Sequence, residues 1–361
     1  MRILGYISTM TLRQNIRFCK SADDTRIAVA TCGEGPVILR AAHWLSHCQY
    51  DLESPVWRPW LEAFSAQNCY VRYDPRGCGL SDRFIADLSL EAWQTDFEAV
   101  AATITAPRFV LLGLSQGGSI AIRFALAHPE RVSHLVLVNS YGQGRRTRAQ
   151  TDVDRLEAET LVNFVRIGWG RENPAFCQFF TNLFIPDGTD DQHRWWGDLE
   201  RMTASPKVAA ELLREMQGID VLDLASHISV PTLILHSRGD MRVPFEEGCK
   251  LAAAIPGARF VPLESRNHAL LPDEPAWAVF HREISAFLQQ DAPATSRSLQ
   301  RAALTPAEAA VMELVAKGLN NRRIAEQLGK SEKTVRNQLS TILDKLGVES
   351  RAQAIVMALE H

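Results

Sequence analysis

A serine between two glycines is the first feature of the sequence that points to covalent chemistry. Residues 113–117 are Gly-Leu-Ser-Gln-Gly, which places Ser115 between a predicted buried strand, Phe109–Leu114, and a predicted helix, Gly117–His128. The glycines permit a sharp strand-to-helix turn that lifts the hydroxyl clear of the backbone. The following helix directs backbone N–H groups and its positive dipole end towards an anion. The sequence therefore predicts that Ser115 is a nucleophile.

A serine hydroxyl needs a base, and the base needs a carboxylate that orients it. Asp240 and His268 each follow directly after a predicted strand, Thr232–His236 and Arg259–Pro262 respectively. Both residues are therefore expected at the carboxyl ends of strands, where the sites of parallel sheets assemble. Taken singly, Asp240 is equally well explained as a turn residue and His268 as a helix cap. Together with Ser115 they predict a catalytic triad of nucleophile, acid and base.

A second kind of chemistry is predicted near the carboxyl terminus. Residues 305–361 predict four short helices, and the tight turn Gly329–Ser331 joins the second to the third as a helix-turn-helix. The third helix places polar residues on or near one face and apolar residues on the other: Lys333, Thr334, Arg336, Asn337 and Ser340 against Val335, Leu339, Ile342 and Leu343. Arg and Asn read base edges in a major groove, while Lys and Thr hold phosphates. A solvated face on a small helical bundle is the plainer alternative.

The elements before this tail alternate between strands and helices. Seven short apolar runs predict strands: Ile27–Ala30, Val37–Arg40, Tyr70–Tyr73, Phe109–Leu114, Leu135–Val138, Thr232–His236 and Arg259–Pro262. With helices between them, they predict a mostly parallel sheet of the α/β class. Residues 141–225 lack strand signals and are rich in aromatic side chains, which predicts a helical lid over the sheet. A helical layer that packs only against itself is the alternative.

Residues 16–290 resemble the α/β-hydrolase superfamily. The resemblance rests on GLSQGG, on the chain order serine, aspartate, histidine, and on the string RYDPRGCGLSD at 72–82. Within that string, Asp74 and Arg76 are expected to be structural. The resemblance implies a mostly parallel sheet with a helical lid and a serine hydrolase activity of the esterase or lactonase type.

The resemblance also implies an oxyanion hole, and here the chain departs from the family pattern. The family's first backbone donor follows a His-Gly or Pro-Gly pair, whereas this chain has Ala42-His43 in the stretch AAHWLSH. By position in the family pattern, the donors of this chain are the backbone N–H groups of Trp44 and Gln116. Backbone donors remain in place when the side chain changes. The indole of Trp44 is expected to crowd the pocket, which favours ligand sensing over fast turnover. His43 and His47 are expected either to bond a ligand or to cap the local backbone.

Residues 304–357 resemble the LuxR-type (GerE-like) DNA-binding domain over their whole length, through the strings LTPAE, VAKGLNNRRIAEQL, SEKTVRNQLSTILDKLGV and SRAQAI. The resemblance implies that the third helix enters the major groove, with base contacts from Arg336, Asn337 and Ser340 and with Lys333, Thr334 and Lys345 near phosphates. It also implies a homodimer through the fourth helix, with contacts at Ala352, Ile355, Val356 and Leu359. Gln338 stands where many members have histidine, which leaves the operator preference open.

Composition agrees with two domains of ordinary globular type. The 361 residues are 46% hydrophobic and 22% charged, which excludes a disordered or fibrous chain. The polar stretch QQDAPATSRSLQ predicts a linker at 289–300, between a hydrolase-like domain at 1–288, with its lid at about 141–225, and a DNA-binding domain at 301–361. Residues 299–361 contain nine Lys and Arg and seven Asp and Glu, whereas the first 298 residues contain 30 and 35. The net charge of the tail is therefore positive and that of the rest of the chain negative.

No cofactor, metal site or membrane contact is expected. The seven cysteines are scattered without paired or metal-ligand spacing. No apolar run approaches the ~20 residues that cross a bilayer, and the amino terminus lacks the features of a secretory signal. The sequence therefore predicts a cytoplasmic protein with reduced thiols.

Two functions follow from these observations. The first is a DNA-binding transcriptional regulator of the LuxR type whose hydrolase-like domain binds a small-molecule ligand, with or without slow hydrolysis of that ligand. The alternative is an active serine hydrolase, an esterase or lactonase, with a regulatory DNA-binding tail. The departure at Ala42-His43-Trp44 favours the regulator. Its expected partners are double-stranded operator DNA, a small-molecule or ester-like ligand and a second copy of the chain.

Overall fold

An eight-stranded sheet is the framework of the computed structural model, which describes residues 12–171, 173–290, 305–316 and 319–346. The strands are β1 Gln14–Lys20, β2 Arg26–Cys32, β3 Val37–Ala41, β4 Cys69–Tyr73, β5 Phe109–Leu114, β6 Val132–Val138, β7 Thr232–Ser237 and β8 Arg259–Leu263. They lie in the order β1-β2-β4-β3-β5-β6-β7-β8. β2 pairs antiparallel with β1 and β4, and the other pairings of this sheet are parallel. The predicted α/β class with a mostly parallel sheet is confirmed.

Helices alternate with these strands along the chain. Those outside the predicted lid are α1 Trp57–Ser65, α2 Leu90–Ala102, α3 Gly117–Ala127, α9 Phe245–Ala254 and α10 Pro275–Gln290, with a 3₁₀ turn at Tyr50–Glu53. Between β6 and β7 the described residues form α4 Asp152–Gly168, α5 Pro174–Phe184, α6 Asp190–Thr203, α7 Pro206–Gly218 and α8 Leu222–Ala225. Thr151, Thr189 and Ser205 cap three of these helices through their side-chain oxygens, which satisfies N–H groups that a helix start leaves unpaired.

Strand β1 is absent from the sequence prediction. Its side chains are exposed or half-buried along the whole strand, and Phe18 is 54% exposed. The strand therefore shows no buried apolar pattern, although it pairs with β2 over its full length. Central strands such as β5 and β7 are predicted correctly because nearly every side chain in them is buried, which gives a continuous apolar run.

The chain divides into two units, Met1–Ser285 and Ala286–His361. The described residues of the second unit form α11 Pro306–Ala316, α12 Asn321–Leu328 and α13 Glu332–Leu346. Their buried side chains form one core: Val311, Met312, Val315, Ile324, Ala325, Val335, Leu339 and Ile342. The predicted fourth helix and most of the predicted linker, residues 291–300, lie outside the described residues.

Local chemistry fixes the starts and the turn of these helices. Thr305 and Glu308 form a capping box, in which the Thr305 N–H donates to Glu308 Oε2 at 2.7 Å. α12 ends at Gly329, whose φ of 62° is left-handed and favours glycine. Ser331 then caps α13, because its Oγ accepts the Thr334 N–H at 3.1 Å. These bonds build the helix-turn-helix predicted from the sequence.

The close packing of α3 against the sheet generates a stability prediction. A Cβ placed on Gly118 meets Ser140 Oγ at 2.6 Å and Ser140 Cβ at 2.7 Å. We expect Gly118→Ala to lower the free energy of unfolding by about 1–3 kcal/mol, the usual effect of overpacking, measured by urea denaturation. Adding Ser140→Gly should restore part of that loss, because it removes both clashing atoms.

Gly197→Ala is the matched control. A Cβ on Gly197 in α6 meets its nearest neighbour, Cys177, only at 3.5 Å, so this variant should keep or slightly raise the stability. An unchanged stability of Gly118→Ala would show that the approach of α3 to Ser140 is not limited by this glycine.

Candidate active site and nucleic-acid interface

Ser115 occupies the sharp turn between β5 and α3. Its φ of 55° lies in the left-handed region, which a non-glycine residue rarely adopts. The turn is held by the Ser115 N–H, which donates to Val138 O at 3.0 Å, and by the Gly118 N–H, which donates to Ser115 O at 3.0 Å. This strained geometry is the one that presents a nucleophile at the end of a strand, and Ser115 lines a small internal cavity.

Asp240 and His268 form a buried hydrogen-bonded pair beside that serine. His268 Nδ1 lies 2.7 Å from Asp240 Oδ2. The other carboxylate oxygen of Asp240 accepts the N–H groups of Arg242 and Val243 at 2.7 and 2.9 Å, which orients the acid. His268 lines the same cavity as Ser115, and its Nε2 has no hydrogen-bond partner among the described residues. The structure therefore brings the three predicted triad residues together, with Nε2 available to a hydroxyl.

The backbone of His268 is bonded to the lid and to the sheet. Phe184, the last residue of α5, accepts the N–H groups of His268 and Ala269 on its carbonyl oxygen at 2.8 and 3.1 Å. Asn139, at the end of β6, donates from Nδ2 to His268 O at 2.6 Å. The backbone of the base is therefore hydrogen-bonded both to the end of α5 and to the residue that follows β6.

The two predicted oxyanion donors lie at the same cavity. Trp44 and Gln116 both line it, and neither backbone N–H donates to an acceptor among the described residues. Gln116 precedes α3 directly, so its N–H belongs to the set that a helix start leaves unpaired. Their role as donors to an oxyanion stays a prediction.

Aromatic side chains leave little room in the cavity. Its volume is about 10 Å³, which is room for about one water molecule. The indole of Trp44 stacks on Trp169, with ring centroids 4.9 Å apart, and lies 6.2 Å from the ring of Phe184. A second pocket of about 20 Å³ shares Trp44, Gln116 and Met216 with the first. A substrate therefore enters only if these rings move.

Other polar residues near the cavity serve different purposes. His47 caps the local backbone, because its Nδ1 accepts the Tyr50 N–H at 3.2 Å. His43 lines the cavity, and neither of its ring nitrogens has a partner among the described residues. Burial, together with the nearby charge of Arg40, holds the pKa of His43 well below its usual value. His43 is therefore a neutral imidazole at physiological pH.

Residues of the string RYDPRGCGLSD at 72–82 hold neighbouring segments of the chain in place and do not line this cavity. The carboxylate of Asp74 accepts the Ser46 hydroxyl at 2.8 Å and the Cys48 N–H at 2.9 Å. Arg76 is paired with the buried carboxylate of Asp96 at 2.7 Å. A larger groove of about 1490 Å³ follows β1 and contains none of the predicted site residues, so the enclosed cavity is the candidate active site.

The polar face of α13 forms the candidate nucleic-acid interface. Five predicted contact residues are exposed there: Lys333, Thr334, Arg336, Asn337 and Ser340. Val335, Leu339 and Ile342 are buried in the core on the opposite side. The guanidinium of Arg336 has only an exposed partner, Glu332, at 3.7 Å, and an exposed ion pair of this kind is weak. The face is therefore free to approach DNA.

Lys345 differs from the other predicted phosphate contacts. Its ammonium donates to both carboxylate oxygens of Glu308, at 2.9 and 2.8 Å. These hydrogen bonds and that of the Thr305 N–H lower the pKa of Glu308 to about 2. The pair joins α13 to α11, and the phosphate contact of Lys345 stays a prediction. The predicted dimer contacts Ala352, Ile355, Val356 and Leu359 lie outside the described residues.

Sequence reasoning missed Arg242, which also lines the cavity. Its signal in the sequence is an arginine two positions after Asp240, in the loop DMRVP between β7 and α9. Val243 beside it is buried, whereas Met241 and Pro244 are exposed, so the sequence gives no clear sign that Arg242 is buried.

Comparisons with known proteins identify both domains of the chain. The model of the alpha/beta hydrolase fold family matches residues 47–275, and the model of the luxR family of bacterial regulatory proteins matches residues 302–358. The pimeloyl-acyl-carrier-protein methyl ester esterase of Nitrosomonas europaea is 27% identical over 261 residues, 67% of this chain and 92% of that protein. Its namesake from Neisseria meningitidis is 31% identical over 191 residues, 52% of this chain and 73% of that protein.

Solved structures show the same fold at lower identity. An esterase from Exiguobacterium antarcticum has a TM-score of 0.63 and 23% identity, and the match covers 76% of this chain and 99% of that one. Among the described residues, no helix is long and apolar enough to cross a membrane.

A test of the triad follows from this geometry. We expect a fluorophosphonate to label Ser115 in the purified protein, and Asp240→Asn to slow labelling by about 10²- to 10⁴-fold, because asparagine favours the wrong tautomer of His268. Intact-mass spectrometry follows the rate. Asp223→Asn, an exposed carboxylate on α8, should label like the wild type. Equal labelling of Ser115→Ala, or no labelling of the folded wild type, would contradict an activated Ser115.

The closed cavity generates a second prediction. Trp44→Leu removes the indole but keeps the backbone N–H, so labelling by a bulky fluorophosphonate should become about tenfold faster, which corresponds to ~1.4 kcal/mol in the barrier. Trp277→Leu is the control, because Trp277 packs against Trp60 and does not line the cavity. An unchanged rate for Trp44→Leu would show that the indole does not limit entry.

Proposed function

The chain belongs to the alpha/beta hydrolase fold family, and we propose that it is a LuxR-type transcriptional regulator whose hydrolase domain binds, and slowly hydrolyses, a small-molecule ligand. One observation carries the proposal: a nearly closed cavity around Ser115 and a helix-turn-helix with an exposed polar face occur on the same chain. A chain that only hydrolysed esters would need no such helix, and one that only bound DNA would need no such cavity.

The proposed reaction is acyl transfer to Ser115. The hydroxyl oxygen attacks the ester carbonyl carbon while Nε2 of His268 takes its proton, and the N–H groups of Trp44 and Gln116 stabilise the negative oxygen. The protonated imidazole then gives its proton to the leaving alcohol, and Asp240 stays ionised throughout. Water hydrolyses the acyl-enzyme by the same steps and releases the acid.

The closed aromatic wall favours sensing over rapid turnover. A ligand that enters a cavity of about 10 Å³ must displace Trp44 or Phe184. Since Phe184 is hydrogen-bonded to the backbone of His268, an occupied cavity and an empty one differ in the position of the lid. A ligand with different affinities for the two positions shifts their populations, which is the requirement for a sensor.

The second part of the proposal is DNA binding in the major groove. Arg336, Asn337 and Ser340 are proposed to contact base edges, and Lys333 and Thr334 phosphates. We propose a homodimer through the fourth helix, which would read two half-sites of an operator in the cytoplasm.

An active serine hydrolase with a regulatory DNA-binding tail is the second candidate. The buried Asp240–His268 bond of 2.7 Å and the unpartnered Nε2 favour it, as do the esterases among the relatives. The two candidates differ in steady-state turnover of a 4-nitrophenyl ester, since a sensor releases about one equivalent of nitrophenol and then slows, whereas an esterase continues.

Selection of operators from random duplexes tests the regulator directly. The full-length protein should select one preferred sequence, and Arg336→Lys should lose about 1–3 kcal/mol of discrimination at one base position, because lysine keeps the charge but not the planar fork. The salt dependence of binding should stay unchanged. Arg322→Lys is the matched control, since Arg322 is an exposed residue of α12 paired with Glu326. If Arg336→Lys selects the same operator with unchanged affinity, α13 does not read bases through Arg336.

A further inference from the structure

Arg242 is a buried cation without an acidic partner. Only 9% of the surface of this residue is exposed to solvent. The backbone N–H of Arg242 bonds Asp240, but the guanidinium makes no hydrogen bond and no ion pair with any described residue. Among the other buried arginines of the described domain, Arg72 and Arg76 are paired with carboxylates at 2.9 and 2.7 Å. Arg40 instead lies over the rings of Trp57 and Tyr70, so Arg242 and Arg40 both depart from the rule that buried charges are paired.

The unpaired guanidinium faces the candidate active site. Its central carbon lies 5.8 Å from the ring centroid of Phe184. That ring lies 5.5 Å from the imidazole of His268, and Arg242, Phe184 and His268 all line one cavity with Ser115. A cation over an aromatic ring gains a weak attraction, which offsets only part of the loss of hydration.

No carboxylate of the described residues forms an ion pair with the guanidinium of Arg242, although Asp240 lies near enough to interact with it electrostatically. Both carboxylate oxygens of Asp240 are occupied, one by His268 and the other by backbone N–H groups. Burial is the largest cause that lowers the pKa of the guanidinium, and the nearby Arg145 and Arg148 lower it further, whereas Tyr141 and Asp240 raise it. An anion in the cavity would satisfy this charge.

We propose that Arg242 binds a carboxylate of the ligand, so that the pocket prefers a small ligand that carries a carboxylate on an apolar or aromatic body to its uncharged counterpart. This inference rests on the proposed function of the pocket as a ligand site. The planar fork of a guanidinium matches a carboxylate with two parallel hydrogen bonds. Phe184 and Trp196 line the same cavity and supply the wall against which the apolar body packs.

The test compares acids with their amides on the full-length chain. The probes are phenylacetate and butyrate beside phenylacetamide and butyramide, which are similar in size but uncharged. They are titrated into Ser115→Ala, in which no acyl-enzyme forms, and binding is followed by tryptophan fluorescence and thermal unfolding. We expect each acid to bind at least about tenfold more tightly than its amide, because only the acid pairs with the buried cation.

Variants of two arginines in one loop assign the effect. Arg242→Gln should abolish the preference for acids, and Arg242→Lys should keep only part of it. Arg238→Gln should leave it unchanged, because Arg238 is exposed and bonds Glu264. Equal affinities for acids and amides, including no binding of either, would overturn the proposal, as would a preference that survives in both Arg242 variants.

The same proteins separate this proposal from the proposed function. Fluorophosphonate labelling of Ser115 without a preference for acids would remove the anion site but keep the hydrolase chemistry. A preference for acids without labelling would support the anion site and remove hydrolysis.

Discussion

The buried hydrogen bond between Asp240 and His268 is the interaction on which the rest of the site depends. It fixes the imidazole with Nε2 free and the carboxylate with both oxygens occupied. The backbone of His268 is held in turn by the carbonyl of Phe184 on the lid and by Asn139 at the end of β6. One short network therefore joins the sheet, the lid and the base, so that the position of the lid and the readiness of the triad are not independent.

This dependence is the basis of our proposal that a chain with an assembled triad senses a ligand and does not turn it over fast. The indole of Trp44 lines the cavity and stacks on Trp169, and the cavity has room for about one water molecule. Ligand entry has to disturb aromatic contacts that also hold the lid. Part of the free energy of binding then drives a conformational change. A regulator can transmit such a change, whereas an efficient esterase would avoid it.

The sequence predicts those features that local chemistry determines. The turn at Ser115, the turn at Gly329 and the buried central strands follow from glycine placement and continuous apolar runs. Strand β1 could not be predicted in this way, because its exposed side chains carry no periodic signal. The stacking of Trp44 on Trp169 and the lack of a partner for Arg242 arise from residues far apart in the chain, and only the folded structure reveals them.

The central claim is that occupancy of the cavity sets the affinity for DNA. The most direct measurement is the Kd of the full-length protein for its selected operator, at one salt concentration, before and after stoichiometric modification of Ser115 by a fluorophosphonate. Our account predicts that modification changes this Kd by at least about fivefold, the lower end of ordinary allosteric coupling, while identically treated Ser115→Ala protein keeps its affinity. An identical Kd for modified and unmodified protein would contradict it.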